Sequence, residues 1–338
     1  MLLGWLLISR YKLFRILENV ERALVIGIGG GGDIFTTIPT RNFLKNLGIK
    51  VYVGSALWER FVVDPYPGPR PLEQLTNIER LTTTTCLAGG RTVTVDGVKL
   101  QASYLSERIG EEVLLIDITK GVDAIVEGLS STCSILDIDL VVGIDGGGDV
   151  LARGREPNLR SPLCDSIMLA SLRKLRKKNF IGVFAPSCDG ELSLEEVLNY
   201  LSDIAMKGGL LGAYGMSRED VEELEKLVEN MPTEVSKLAL MGAKGYRGEV
   251  GIREGIWKVN LSVISTLTFY LDTVITYDLS PLAQAVSSTH NIYEANERLH
   301  EIGVKTELDI ELEAHRRGAR SYLELFKNKS STQHNNVL

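Results

Sequence analysis

Two short segments constrain the fold of this 338-residue chain more than any other feature: Gly27-Ile28-Gly29-Gly30-Gly31-Gly32-Asp33 and Gly143-Ile144-Asp145-Gly146-Gly147-Gly148-Asp149. Each follows an apolar run (ALVI at 23–26, LVV at 140–142), and each ends in aspartate after consecutive glycines. An apolar run of strand length entering a glycine turn, then a helical pattern, is the start of a βαβ unit. Strand-to-helix turns of a parallel sheet all emerge at its carboxyl edge, so both loops are expected to open on one crevice.

The rest of the chain fits that scheme. Leu13, Ile16, Leu17 and Val20 recur at helical spacing, and IPTRNFLKNLGI predicts a helix stopped by Gly48 before the strand KVYVGSALW. Apolar runs predict strands over 112–118, 139–145 and 180–186, with helices near 121–135 and 161–175 between them. Alternation through Thr92, Val93, Thr94 and Val95, with Asp96-Gly97, predicts a β-hairpin within 82–104, after the proline-dense DPYPGPR. Ser193 with Glu196 forms a capping box that opens a helix running to about Met206. Beyond Ser217 the patterns are mostly helical. The segment WKVNLSVISTLTFYLDTVITYD is too apolar and β-branched for periodicity to separate helix from strand. The expected fold is a doubly wound, mostly parallel, Rossmann-like α/β sheet with an inserted β-hairpin and a helical C-terminal third. We divide the chain into an apolar extension (1–9), one compact domain (10–326, with a sheet core over 20–206 and a helical region over 217–326) and a disordered tail (327–338).

Composition excludes several partners. With 37 Lys and Arg against 44 Asp and Glu, the net charge of -7 argues against nucleic acid. MLLGWLLIS is interrupted by Arg10, short of the ~20 residues a bilayer requires, so no membrane partner is expected. The four cysteines show no CxxC spacing and read as reduced, buried thiols, which suggests a cytoplasmic protein. A small anionic molecule is the expected partner, and a homo-oligomer is compatible with the sequence.

The chemistry concentrates at the predicted strand ends. Asp33, Asp145 and Asp149 are joined there by Asp189 and Glu191 of the third loop, Ser187-Cys188-Asp189-Gly190-Glu191, and by Asp117. Six converging carboxylates repel unless protons or cations neutralise them. Hard oxygen ligands suit Mg²⁺ or Mn²⁺, and we expect Asp145, Asp149 and Asp189 to hold the metal. The backbones of Gly29, Gly30, Gly31 and Gly32 and of Gly146, Gly147 and Gly148 are expected to cradle an anion, with Arg153 and Arg155 neutralising its charge. Asp33 or Glu191 is then the candidate general base. Asp165 either caps the following helix or reaches the site. Glu307 and Asp309 either open a helix at Thr306 or fold back over the crevice. Gly27, Gly29 and Gly32 satisfy G-x-G-x-x-G, but Asp33 would sit near a pyrophosphate, and Gly54 and Ser55 stand where a ribose-binding acid is expected. Walker A, G-x-S-x-G and HExxH motifs are absent.

The ordered set GGGGDIF, GGGDVLARGREPNLRSPLCDSIMLA, APSCDGELSLEEVL and ANERLHEIGVKTELDIE resembles a mainly archaeal family known as domain of unknown function 1152. The resemblance runs from about Leu13 to Arg317 and implies one α/β protein in which the sheet and the helical third belong together. It implies no activity. From the residues, the expected function is a divalent-cation-dependent enzyme acting on a small phosphorylated or anionic metabolite by hydrolysis or phosphoryl transfer. The alternatives are a nucleotide or metabolite sensor without turnover and a dinucleotide-dependent oxidoreductase.

Overall fold

The apolar run ahead of the first glycine turn forms strand β1 (Arg22–Gly27), buried from Ala23 onward. Its side chains alternate between two cores, Ala23 and Val25 packing with Phe35 and Val142 on one face, Leu24 and Ile26 with Val141 and Ile167 on the other. Helices cover both faces of such a strand, which is why its sequence is apolar throughout and does not alternate. In this computed structural model, which describes residues 11–326, ten further strands follow. They are β2 (Lys50–Ala56), β3 (Leu75–Arg80), β4 (Thr85–Thr94), β5 (Val113–Ile116), β6 (Leu140–Gly146), β7 (Lys178–Phe184), β8 (Leu210–Gly215), β9 (Gly248–Ile252), β10 (Trp257–Leu261) and β11 (Leu267–Leu271). The expected apolar extension (1–9) and tail (327–338) lie outside the described residues.

Nine strands form one sheet in the order β3-β4-β5-β2-β1-β6-β7-β11-β8. The five central strands, β5 to β7 in that order, pair in parallel. The chain lays down β2 and β5 on one side of β1, then returns through the helix Gly121–Ile135 to place β6 on the other side. That reversal between β1 and β6 is the topological switch point, where open α/β sheets form their ligand crevice. Both glycine-aspartate loops leave these two adjacent strands. The capping box at Ser193 is present: its hydroxyl accepts from Glu196 N at 3.2 Å, and Glu196 accepts from Ser193 N at 2.7 Å.

The hairpin differs from expectation in extent. Asp96-Gly97 does reverse the chain, with Thr94 N donating to Val98 O at 2.9 Å and an antiparallel bridge between Val93 and Lys99, but the longer hairpin is β3–β4, joined at 81–84. β3 is a sheet edge whose side chains are mostly exposed, so it carries no apolar signature. The C-terminal third is helical but also supplies strands. β11 lies antiparallel between β7 and β8, and β9 pairs with β10 as a separate hairpin. Thus two strands of the main sheet come from beyond residue 206. The ambiguous apolar segment contains β10, a 3-10 turn, β11 and the helix Thr273–Asp278 in succession, each shorter than a periodicity window. Among the described residues, no helix is long and apolar enough to cross a membrane.

Candidate functional site

The loops at the switch point are built around close approaches that only glycine permits. A Cβ on Gly29 would lie 2.5 Å from Asp33 Oδ2, and one on Gly147, whose φ is +119°, would lie 2.2 Å from Asp189 Cγ. Asp33 Oδ2 accepts hydrogen bonds from Gly29 N at 2.9 Å and Gly146 N at 3.4 Å, joining one loop to the other. The helix Pro162–Lys174 brings a further acid, Asp165, into its first turn beside Gly29.

Six acids meet here in two groups. The first is Asp33, Asp145 and Asp165; the second is Asp149, Asp189 and Glu191. Within each group, one carboxylate oxygen per residue lies within 4.8 Å of the others. Asp145 and Asp165 are 1% exposed, Asp149 and Asp189 6%. Asp145 Oδ1, Asp165 Oδ1 and Asp189 Oδ2 have no hydrogen-bond partner, although buried polar atoms ordinarily find one. Burial, then the neighbouring carboxylates, push Asp145, Asp149 and Asp165 far above the usual carboxylate range. Burial lifts Asp33 to about 7 against its backbone bonds and Arg60, and lifts Asp189, which also faces Glu191, to about 7.

Glu191 differs from the others. Burial raises its pKa, but Arg253, Arg160 and Ser161 outweigh that effect and hold it below the usual value. It accepts from Arg160 N at 2.7 Å, Ser161 N at 2.8 Å and the Ser161 hydroxyl, with Arg253 at 3.7 Å. It fastens the 160–161 turn. The expected metal set is divided: Asp145 belongs to one group, Asp149 and Asp189 to the other. Asp117 is spent locally, accepting from Thr119 N at 2.9 Å, the Thr119 hydroxyl and Leu72 N.

A cavity of about 390 Å³ is lined by Asp33, Asp149, Asp165 and Asp189, while Asp145 and Glu191 stand outside its lining. Gly29, Gly30, Gly32 and Gly146 line it, while Gly31, Gly147 and Gly148 do not. Arg153 and Arg155 are also outside the lining, contrary to the sequence expectation. Glu156 accepts the backbone N–H groups of residues 153, 154 and 155 and so folds this turn on itself. Arg153 then pairs with Asp203 at 2.6 Å over the Tyr200 ring, and Arg155 is exposed.

The cations of the cavity are instead Arg60, Lys237, Arg253 and Arg320. Arg60 donates to Gly29 O at 2.7 Å and lies 3.7 Å from Glu307 and 4.0 Å from Glu311, whose charges raise its pKa against burial. Arg253 stands over Trp257 and Tyr322 and is 3.6 Å from Glu234. Lys237 and Arg320 have no side-chain ion pair among the described residues and are exposed at the mouth. Glu307 does fold back: it accepts from Leu163 N and Cys164 N at the start of the helix that carries Asp165. Asp309 caps its own helix and meets His300. Sequence reading missed the four cations because none lies in a glycine loop. The available signal was Arg60, four residues past the end of β2 at the same carboxyl edge.

No curated protein and no solved structure matches the chain. The model of the family described as Protein of unknown function (DUF1152) matches residues 24–315, which span both glycine-aspartate loops and the helical third, and the chain belongs to that family.

Proposed function

We propose that the protein is a divalent-cation-dependent enzyme acting on a small phosphorylated or otherwise anionic metabolite, by hydrolysis or phosphoryl transfer. The observation that carries this is the set of buried carboxylate oxygens without partners: Asp165 Oδ1 and Asp189 Oδ2, on residues that line the switch-point cavity, and Asp145 Oδ1, in the same acid group as Asp165. Near pH 7 such a cluster requires protons or a cation, and an all-oxygen donor set suits Mg²⁺ or Mn²⁺. Bound there, the ion would polarise a phosphoryl or carbonyl oxygen and activate water.

The remaining roles follow from position. Lys237 and Arg320 are free to meet substrate anions at the mouth, whereas Arg60 is neutralised by Glu307 and Glu311. Of the two candidate general bases, Asp33 keeps Oδ1 outside the backbone bonds that hold its Oδ2, whereas both oxygens of Glu191 are occupied; Asp33 serves as base only where it does not itself hold the ion. The dinucleotide alternative is weakened because the Gly29 amide, which a pyrophosphate would need, donates to Asp33. Four buried, free cysteines support a reducing, cytoplasmic setting.

Isothermal titration with Mn²⁺ and Mg²⁺, followed by phosphate release from a panel of phosphomonoesters, nucleotides and pyrophosphate, tests the proposal. Metal binding with metal-dependent release is expected. Failure of either ion to bind overturns it, and binding without turnover of any anion would make the protein a sensor.

A further inference from the structure

We propose that the two acid groups are two cation sites that fill separately, so the centre holds a pair of divalent ions. This rests on the cation reading above and adds its stoichiometry. Ligand oxygens of Mg²⁺ stand about 2.1 Å from the ion, so opposite ligands are about 4.2 Å apart. Oxygens within 4.8 Å of one another are therefore a set that one ion draws together with little movement, and the six acids provide two such sets.

Each set carries its own unpartnered, buried oxygen on a residue that lines the cavity. Asp165, with Oδ1 free, represents the first, and Asp189, with Oδ2 free, the second. One ion in either set leaves the other with an uncompensated buried carboxylate. The protein cations do not remove this deficit. Arg60, near the first set, is shared with Glu307 and Glu311; Arg253 and Arg160, near the second, act first on Glu191, Arg253 is also shared with Glu234, and Asp189 Oδ2 still has no partner.

The two sites are unequal. In the first set Asp145 and Asp165 each keep an oxygen free of any hydrogen bond, and the two amides that hold Asp33 both bond its Oδ2, leaving Oδ1 available. In the second, Glu191 is already engaged by two backbone amides, the Ser161 hydroxyl and Arg253, leaving Asp149 and Asp189 as the available donors. The first set is the tighter site and fills first. Paired ions of this kind let one activate the attacking oxygen while the other stabilises the leaving one, which suits phosphoryl chemistry.

The test is a Mn²⁺ titration of the full-length protein by calorimetry and low-temperature electron paramagnetic resonance. Two binding events per chain are expected. The six-line signal of an isolated ion should be present at one equivalent and lose intensity as the second equivalent couples to it. Asp165→Asn should weaken the tight event at least 100-fold and spare the weak one; Asp189→Asn should do the reverse. A single event in the wild-type protein, weakened by both substitutions, overturns the two-ion centre and leaves the cation reading intact. Absence of any Mn²⁺ binding overturns both. If a variant fails to fold by circular dichroism, the wild-type stoichiometry decides alone.

Discussion

The two glycine-aspartate loops differ in one aligned position, and they perform different work because of it. Where the first loop has Gly29, the second has Asp145. Gly29 supplies a backbone N–H to Asp33, and its missing Cβ leaves room for Asp33 and Asp165. Asp145 supplies a carboxylate with an unpartnered oxygen. The terminal aspartates diverge as well. Asp33 joins the loops through two backbone amides, whereas the Asp149 side chain meets only other side chains among the described residues, Asp145 and, at 3.4 Å, the Ser161 hydroxyl. A shared motif thus yields one loop that organises the site and one that supplies its charge.

The largest way to break this comparison is Gly147→Ala. The substitution forces a side chain into a φ of +119° and against Asp189, and strain plus overpacking should cost ~3 kcal/mol or more in urea unfolding. Next come the terminal aspartates, which should differ in sign. Asp33→Ala leaves the Gly29 and Gly146 amides unpaired and should destabilise the metal-free protein by roughly 1–3 kcal/mol. Asp149→Ala removes a carboxylate that faces four acidic neighbours, and should leave the metal-free protein unchanged or up to ~1 kcal/mol more stable while removing the weaker Mn²⁺ event and sparing the tighter one. Equal destabilisation by both would erase the distinction between the loops.

A smaller effect is expected from pH. Asp33, Asp189, Glu59 and Glu311 are all lifted to about 7, chiefly by burial. Their folded forms bind protons more tightly than the unfolded chain does, so the associated stability is present at low pH and is lost as pH rises toward 7. The metal-free Tm should therefore increase on acidification from about pH 7 to 5. Glu191, held low, opposes this only below its ordinary carboxylate range. Because cations replace protons, Mn²⁺ should raise Tm more at pH 7 than at pH 5. A metal-free Tm that falls across this window would contradict the buried, proton-accepting cluster.

The smallest effect is expected at the mouth. Lys237→Gln and Arg320→Gln should each weaken pyrophosphate binding roughly tenfold, the scale of one charge-assisted contact, without changing Mn²⁺ affinity. Calorimetry with each ligand separates the two effects.

Much of the sheet was legible in the sequence because β1, β5, β6 and β7 are covered on both faces and read as unbroken apolar runs. β3 was not, since an exposed edge strand has no such signature. The acids were legible because aspartate after a glycine turn falls at the carboxyl edge of a parallel strand. The arginines were not: a long side chain goes where its partners are, and Arg153 finds Asp203 and Tyr200 while Arg253, on the β9–β10 hairpin connection, reaches Glu191.

From the sequence alone came the α/β class, the glycine turns and the acids at the strand ends, all set by local pattern and the chemistry of single residues. Tertiary structure alone decided that β6 lies beside β1, that Asp33 bonds Gly146 across 113 residues, and that six carboxylates divide three and three. The physical reason is that strand order and charge proximity depend on contacts between segments distant in the chain, and local periodicity carries no information about them.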